Sequence, residues 1–154
     1  MLLDRHLQRL SQGLHRLSIP CVRDQLGHDL QLIEPFIREG DNFILKIVVS
    51  RGSTVFGYSS DQVSVNRLLL LQPYTVKRVD ALRLMVCETR LSMQPLLAGI
   101  KHCNRLEQVL ARREVDDSDC DEGLMLDQKD RVVEATAANL FIVESDQFIT
   151  APII

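Results

Sequence analysis

The pattern of leucines near the start of the chain predicts two amphipathic helices. Over residues 4–17 the leucines recur at three- and four-residue spacing and form one apolar stripe, Leu7, Leu10, Leu14 and Leu17. Asp4 is the predicted N-cap of this helix. A second helix is predicted over residues 24–38, and Pro35 should end or kink it because proline removes a helical hydrogen bond.

Two apolar runs that follow predict β-strands. Residues 43–50 are rich in β-branched side chains and favour a strand buried on both faces, interrupted by Lys46. Residues 65–72 predict a second strand with four consecutive leucines as a core run. Between them, residues 51–59 predict a loop at a strand end, where ligands often bind, although its glycine spacing does not fit a phosphate loop. Residues 74–81 are predicted to link two lobes.

The second half of the chain predicts a strand, a helix and two hairpins. The strand covers residues 82–88, and the helix begins near Leu106 and ends near Arg113 after a loop. The hairpins pair residues 123–127 with 132–136, and residues 139–144 with 148–150. The acidic stretch 114–122 is interpreted as a solvated connection, since it lacks the Gly and the closing Glu of a calcium loop, and no metal site is predicted.

Composition narrows the class of protein. The 154 residues suit one domain or two small ones, and the formal net charge of −3, with both signs mixed along the chain, argues against a nucleic-acid partner. Apolar runs are too short to span a bilayer, and charge appears at once at Asp4, so neither a membrane partner nor a signal peptide is expected. The widely spaced cysteines are typical of reduced, mostly structural thiols in a cytoplasmic protein.

Three polar residues stand at positions that raise a question of chemistry. Lys101, one of only four lysines, follows an Ala-Gly-Ile step and precedes the helix, and a desolvated lysine can attack a carbonyl carbon. Glu134 interrupts a run of small and apolar residues, so it faces either solvent or a positive partner. Arg9 flanks the leucine stripe and suits a phosphate. Surface positions are the commonest explanation for each residue alone, but pyridoxal phosphate needs an amine, a carboxylate and an anion clamp together.

Several segments resemble one known family. The stretches AGIKHCNRLEQVLARR (98–113) and LDQKDRVVEATAANLFIV (126–143) resemble the fold-type IV pyridoxal-phosphate enzymes, and most closely the aminodeoxychorismate lyases among them. DRHLQRL (4–10), LKIVVSRGS (45–53) and GYS (57–59) match the same family in the same order. The resemblance implies a mixed α/β, two-lobed fold with the cofactor between the lobes, and a homodimer.

The resemblance also implies roles for residues. Lys101 would carry pyridoxal 5'-phosphate covalently, Glu134 would pair with its ring nitrogen, and Arg9 would contact its phosphate. The backbone of Ala137, Ala138 and Asn139 would lie near the ring. The implied substrate is 4-amino-4-deoxychorismate, converted to pyruvate and 4-aminobenzoate, a folate precursor. Lys101, once released, would remove the proton from the carbon that bears nitrogen, so its site should be partly desolvated.

Two departures from the family pattern are expected to matter. Residues 1–78 correspond to a small α/β lobe without its N-terminal strands, and residues 79–154 to the first part of a larger cofactor-binding lobe, so the chain is expected to be incomplete at both ends. Phe56 stands where the relatives tend to carry an arginine before Gly-Tyr-Ser. Arg51 is the candidate substitute for binding a substrate carboxylate, with Tyr58 beside it, although Arg51 equally suits a structural role at a strand end.

Two other functions are compatible with the same residues. A branched-chain or D-amino-acid aminotransferase of the same fold would use the same lysine and glutamate and a second keto acid. A non-catalytic remnant of such an enzyme would explain the missing ends.

Overall fold

A computed structural model describes residues 2–20, 22–38, 40, 42–53, 64–76 and 79–152 of the chain. By its internal contacts the chain divides into two units, residues 1–77 and 78–154. Each unit has its own core and is described by itself. Their assignment to the small lobe and the cofactor-binding lobe of an incomplete enzyme stays a prediction.

The first unit begins with two helices. Helix α1 covers Leu3–Arg16 and helix α2 covers Arg23–Ile33, followed by a 3-10 turn at Glu34–Phe36. The prediction that Asp4 caps α1 is wrong, because the helix begins one residue earlier and Leu2 occupies the N-cap without a side-chain hydrogen bond. Asp4 lies instead in the first turn, where its charge favours the positive end of the helix.

The strands of the first unit form an antiparallel ribbon. Strand β1 (Phe43–Arg51) pairs with strand β2 (Val65–Pro73) along their whole lengths, from Phe43 opposite Pro73 to Arg51 opposite Val65. The predictions of a strand buried on both faces and of a four-leucine core run are wrong. In this unit the two-stranded ribbon has one exposed face, which carries Leu68 and Leu70 at 52% and 44% exposure. The other face packs on a core formed by Leu14, Ile19, Val22 and Leu26.

The second unit is built on a three-stranded sheet with one helix. Strand β3 (Leu84–Leu91) leads through helix α3 (Leu106–Asp116) to strand β4 (Glu122–Asp127), which pairs with β3 in parallel. Strand β5 (Val132–Ala135) then pairs with β4 antiparallel, which makes β4 the central strand. Strands β6 (Ile142–Glu144) and β7 (Gln147–Ile149) form a separate ribbon. Both predicted hairpins are confirmed.

Helix α3 packs on this sheet with a face that the apolar pattern does not indicate. The buried side chains between α3 and the sheet belong to Cys87, Ala111, Val115 and Met125. Leu106, Val109 and Leu110, which predicted the helix, are all more than half exposed within the unit. The helix also continues to Asp116, so the prediction that residues from 114 onward form a solvated connection is wrong for its first part.

The cysteines only partly follow the expectation of structural thiols. None of the three in the described residues forms a disulfide; Cys87 is buried, Cys120 is half-buried and Cys103 is exposed. Burial raises the pKa of the Cys87 thiol and keeps it protonated. No helix in the described ranges is long and apolar enough to cross a membrane.

Gly123 provides a test of this packing. A Cβ atom added there would lie 2.8 Å from Cγ2 of Val115 and still closer to Sγ of Cys87. We expect Gly123→Ala to lower the free energy of unfolding by about 1–3 kcal/mol, the usual cost of overpacking a core. Urea unfolding followed by circular dichroism measures this change.

Gly27 is the matched control. It lies within α2, and an added Cβ would meet no atom within 4 Å. Gly27→Ala should therefore stabilise the protein by about 0.5–1 kcal/mol, because alanine loses less backbone entropy in a helix. An unfolding midpoint for Gly123→Ala equal to or above that of the parent chain would contradict the packing described above.

Candidate active site

Lys101 lies in the loop between β3 and α3, five residues before the helix begins. Gly99 adopts a left-handed conformation (φ +74°), which an L side chain rarely tolerates. The next residue, Ile100, is buried at 9% exposure and anchors the loop, while Lys101 is exposed. The Ala-Gly-Ile step therefore turns the backbone, fixes it with one apolar side chain and leaves the amine accessible.

The base of the Lys101 loop is tied to α3 by a carboxylate. Oε1 of Glu107, in the first turn of the helix, accepts hydrogen bonds from the backbone N–H of Ser92 at 3.0 Å and from its hydroxyl. Ser92 directly follows β3. The start of the loop at Ser92 and the first turn of α3 are thus held together. This limits the positions that Lys101 can take.

Glu134 lies on β5 and faces helix α3. It pairs directly with Met125 of β4, and side chains of directly paired residues lie on the same side of a sheet. Met125 is fully buried in the core that α3 covers. Of the two alternatives that the sequence left open, solvent or a positive partner, this position favours a partner from the α3 region.

Two side chains of the α3 region approach Glu134. Nε2 of Gln108 donates a hydrogen bond to its Oε1 at 3.0 Å, and Nη1 of Arg105 lies 3.6 Å from the same oxygen. The Glu134 side chain is 32% exposed, so this carboxylate is partly desolvated and still reachable. The same helix that follows the Lys101 loop thereby holds the carboxylate.

Sequence reasoning missed both Arg105 and Gln108. A signal for Gln108 exists in the chain, because Gln108, Ala111 and Val115 follow one another at helical spacing. Ala111 and Val115 are both buried, which places Gln108 on the sheet-facing side of α3. A polar residue at the start of a small apolar stripe indicates a buried polar contact.

The segment after Glu134 turns sharply and is held by hydrogen bonds to strand β4. The N–H of Thr136 donates to the backbone oxygen of Gly123 at 3.1 Å, and its hydroxyl donates to Glu122. The N–H of Ala135 donates to the oxygen of Ala138 at 2.9 Å. Thr136 is buried as a result, whereas Ala137, Ala138 and Asn139 are exposed. These small residues leave an open surface beside Glu134.

His102 adds an unpaired group next to Lys101. Its Nδ1 atom is buried and has no hydrogen-bond partner among the described residues. Burial, and then the nearby Arg105 guanidinium, lowers the pKa of the imidazole below its ordinary value, so the neutral form is favoured at neutral pH. A neutral imidazole places no extra positive charge beside the lysine.

The remaining predicted residues belong to the first unit. Arg9 is exposed on α1, and its Nη2 donates to Nδ1 of His6 at 3.2 Å. Arg51 donates from Nη2 to the backbone oxygen of Leu17 at 2.5 Å, which links the end of β1 to the end of α1. That contact supplies the structural role that the sequence offered as an alternative. Tyr58 and Phe56 lie outside the described residues.

The turn between β4 and β5 is closed by Asp127. Its Oδ1 accepts the N–H groups of Lys129 at 2.8 Å and of Arg131 at 3.0 Å, and its Oδ2 accepts Nε of Arg131 at 2.7 Å. These bonds, with the Arg131 side chain first, lower the pKa of the carboxyl from its ordinary value of 3.8 to about 2. The hairpin that presents Glu134 is therefore held by a charged carboxylate.

Comparison with known proteins identifies the family. The chain belongs to the amino-transferase class IV family, whose description it matches over residues 1–154. It is 40% identical over 150 residues to the aminodeoxychorismate lyase of Vibrio harveyi, an alignment that covers 94% of this chain and 55% of that protein.

Solved structures agree with this assignment. The 4-amino-4-deoxychorismate lyase of Pseudomonas aeruginosa superimposes with a TM-score of 0.83 at 40% identity, over 97% of this chain and 56% of that one. The branched-chain amino acid aminotransferase of Thermobaculum terrenum, solved in its PLP form, shares the fold alone, with a TM-score of 0.81 at 19% identity over 96% of this chain and 50% of that one. The chain thus spans about half the length of the relatives it matches.

The Asp127 turn predicts a pH-dependent stability. Because the folded pKa is about 2, below its ordinary value of 3.8, the stabilisation is complete above about pH 4 and is lost as the pH falls towards 2. Asp127→Asn should destabilise the protein at pH 7, and the gap to the parent chain should narrow at low pH. Urea midpoints measured between pH 7 and pH 2 give this comparison, and an unchanged gap across that range would contradict the assignment.

Proposed function

We propose that this chain carries the catalytic lysine and the ring-nitrogen carboxylate of a pyridoxal-phosphate lyase that converts 4-amino-4-deoxychorismate to 4-aminobenzoate and pyruvate. The proposal includes three further expectations: that the protein is a homodimer, that it is located in the cytoplasm, and that it acts in folate biosynthesis. Its substrate rests on the 40% identity to proteins named as this lyase.

One observation carries the proposal. Helix α3 connects the two groups that the chemistry requires: the Lys101 loop leads directly into it, and its Gln108 holds Glu134 at 3.0 Å. An amine and a carboxylate far apart in sequence are thereby tied to the same helix within one unit.

The donor set fits the cofactor. Pyridoxal phosphate, when bound, offers an aldehyde carbon to an amine and an electron-withdrawing cationic ring to the substrate. Lys101 supplies an accessible amine, and Glu134 supplies a carboxylate. The exposed Ala137 and Ala138 follow Glu134 closely in the chain, and their small side chains leave the backbone accessible. A phosphate contact by Arg9, whose guanidinium fork suits it, stays an expectation of the family resemblance.

Each residue then has a defined task. Lys101 binds the cofactor and, when released as a neutral amine, takes the proton from the substrate carbon that bears nitrogen. Glu134 keeps a proton on the ring nitrogen because a carboxylate stabilises a nearby cation. His102, whose Nδ1 atom is buried and whose lowered pKa favours the neutral imidazole, adds no positive charge beside Lys101.

A covalent trap tests the role of Lys101. The chain is incubated with pyridoxal phosphate, reduced with sodium borohydride to fix any lysine linkage, and digested for mass spectrometry. We expect the modification at Lys101 and its loss in Lys101→Ala. Lys46→Ala and Lys129→Ala are matched controls, since both lysines are exposed, and should leave the modification intact. A modification spread equally over the lysines, or no modification at all, would contradict the proposal.

A product assay separates the lyase from an aminotransferase. If the protein is a lyase, 4-amino-4-deoxychorismate should yield pyruvate and 4-aminobenzoate in equal amounts, with no added keto acid needed. Transfer of an amino group to an added keto acid, without pyruvate release, would instead favour an aminotransferase. Lys101→Ala should abolish the product in either case.

A further inference from the structure

The Gln108 side chain has only one way to face Glu134. An ionised carboxylate accepts hydrogen bonds and cannot donate, so the amide must direct its nitrogen at it. The observed 3.0 Å contact from Nε2 to Oε1 meets this requirement. The amide oxygen points away, is buried and has no hydrogen-bond partner in the described parts of the chain. A buried amide oxygen without a hydrogen bond costs free energy. The contact of Nε2 with Glu134 is therefore made while Oε1 of the same amide goes unpaired within those parts.

The contacts of Glu134 converge on one of its two oxygens. Gln108 and Arg105 both approach Oε1, at 3.0 and 3.6 Å. Within the described residues, Oε2 accepts no hydrogen bond. A carboxylate held through one oxygen has a fixed rotation, and its second oxygen keeps free lone pairs for another donor.

We infer that Gln108 is a positioning residue that orients Glu134 so that Oε2 is presented to the protonated ring nitrogen of the cofactor. This inference rests on the proposed function. A neutral amide suits the task, because it holds the carboxylate without adding a positive charge beside a ring that must itself become cationic. Arg105 acts more weakly, since it lies farther away and its side chain is 39% exposed to screening solvent.

The test uses the whole chain with pyridoxal phosphate labelled with 15N in the ring. Gln108→Met keeps the length of the side chain and removes the donor, and Gln108→Glu replaces the donor with a like charge. Gln128→Met is the matched control, because Gln128 is exposed in the β4–β5 turn. For each variant the dissociation constant of the cofactor and the 15N shift of the ring nitrogen are measured, and thermal melting shows that the chain is folded.

We expect Gln108→Met to weaken cofactor binding about tenfold, the usual effect of one lost hydrogen bond to a charged group. Its 15N resonance should move towards that of an unprotonated ring. Gln108→Glu should do more of both, because the added carboxylate repels Glu134. Gln128→Met should match the parent chain in both measurements.

Other outcomes would overturn the inference. Unchanged binding and an unchanged 15N shift in folded Gln108→Met would show that Gln108 only packs. If that variant does not fold, Gln108→Asn, which withdraws the donor by one methylene, gives the same comparison. Borohydride modification of Lys101 is measured in parallel: if it persists while Gln108 has no effect, only this inference fails, and if the parent chain gives none, the proposed function fails with it.

Discussion

The hydrogen bond between Gln108 and Glu134 is the interaction on which the candidate site depends. A carboxylate on a strand that packs against a helix is costly to desolvate unless a donor meets it. Helix α3 supplies that donor from the face that also buries Ala111 and Val115 against Met125. Because the same helix begins just after the Lys101 loop, packing of α3 on the sheet places the amine and the carboxylate in one unit.

Other carboxylates of the second unit serve the backbone. Glu114 accepts the N–H groups of Glu88 and Thr89, and Glu107, Glu122 and Asp127 each accept at least one backbone N–H at a strand end or turn. Such bonds are stronger than neutral ones and fix loops without a large core. The acidic character of this part of the chain is thus structural, and among the described residues no cluster suited to a metal ion is found.

Sequence reasoning predicted the elements better than their faces. The hairpins and the position of Lys101 before a helix followed from local signals, namely turn residues, β-branched runs and a Gly step. The exposure of Leu68 and the inward face of α3 did not, because periodicity identifies a helix or strand without saying which neighbour covers it. Gln108 was missed for the same reason: its role depends on a strand far along the chain. The identification of Lys101 and Glu134 came mainly from resemblance to a family, and their chemical roles remain proposals.

A crystal structure of the chain with pyridoxal phosphate would test the central claim most directly. The account predicts electron density continuous from the cofactor to Nζ of Lys101, with the ring nitrogen within about 2.7–3.2 Å of Oε2 of Glu134 and Gln108 still bound to Oε1. A cofactor attached to another lysine, or a ring nitrogen that faces solvent while Glu134 stays bound only to α3, would contradict it.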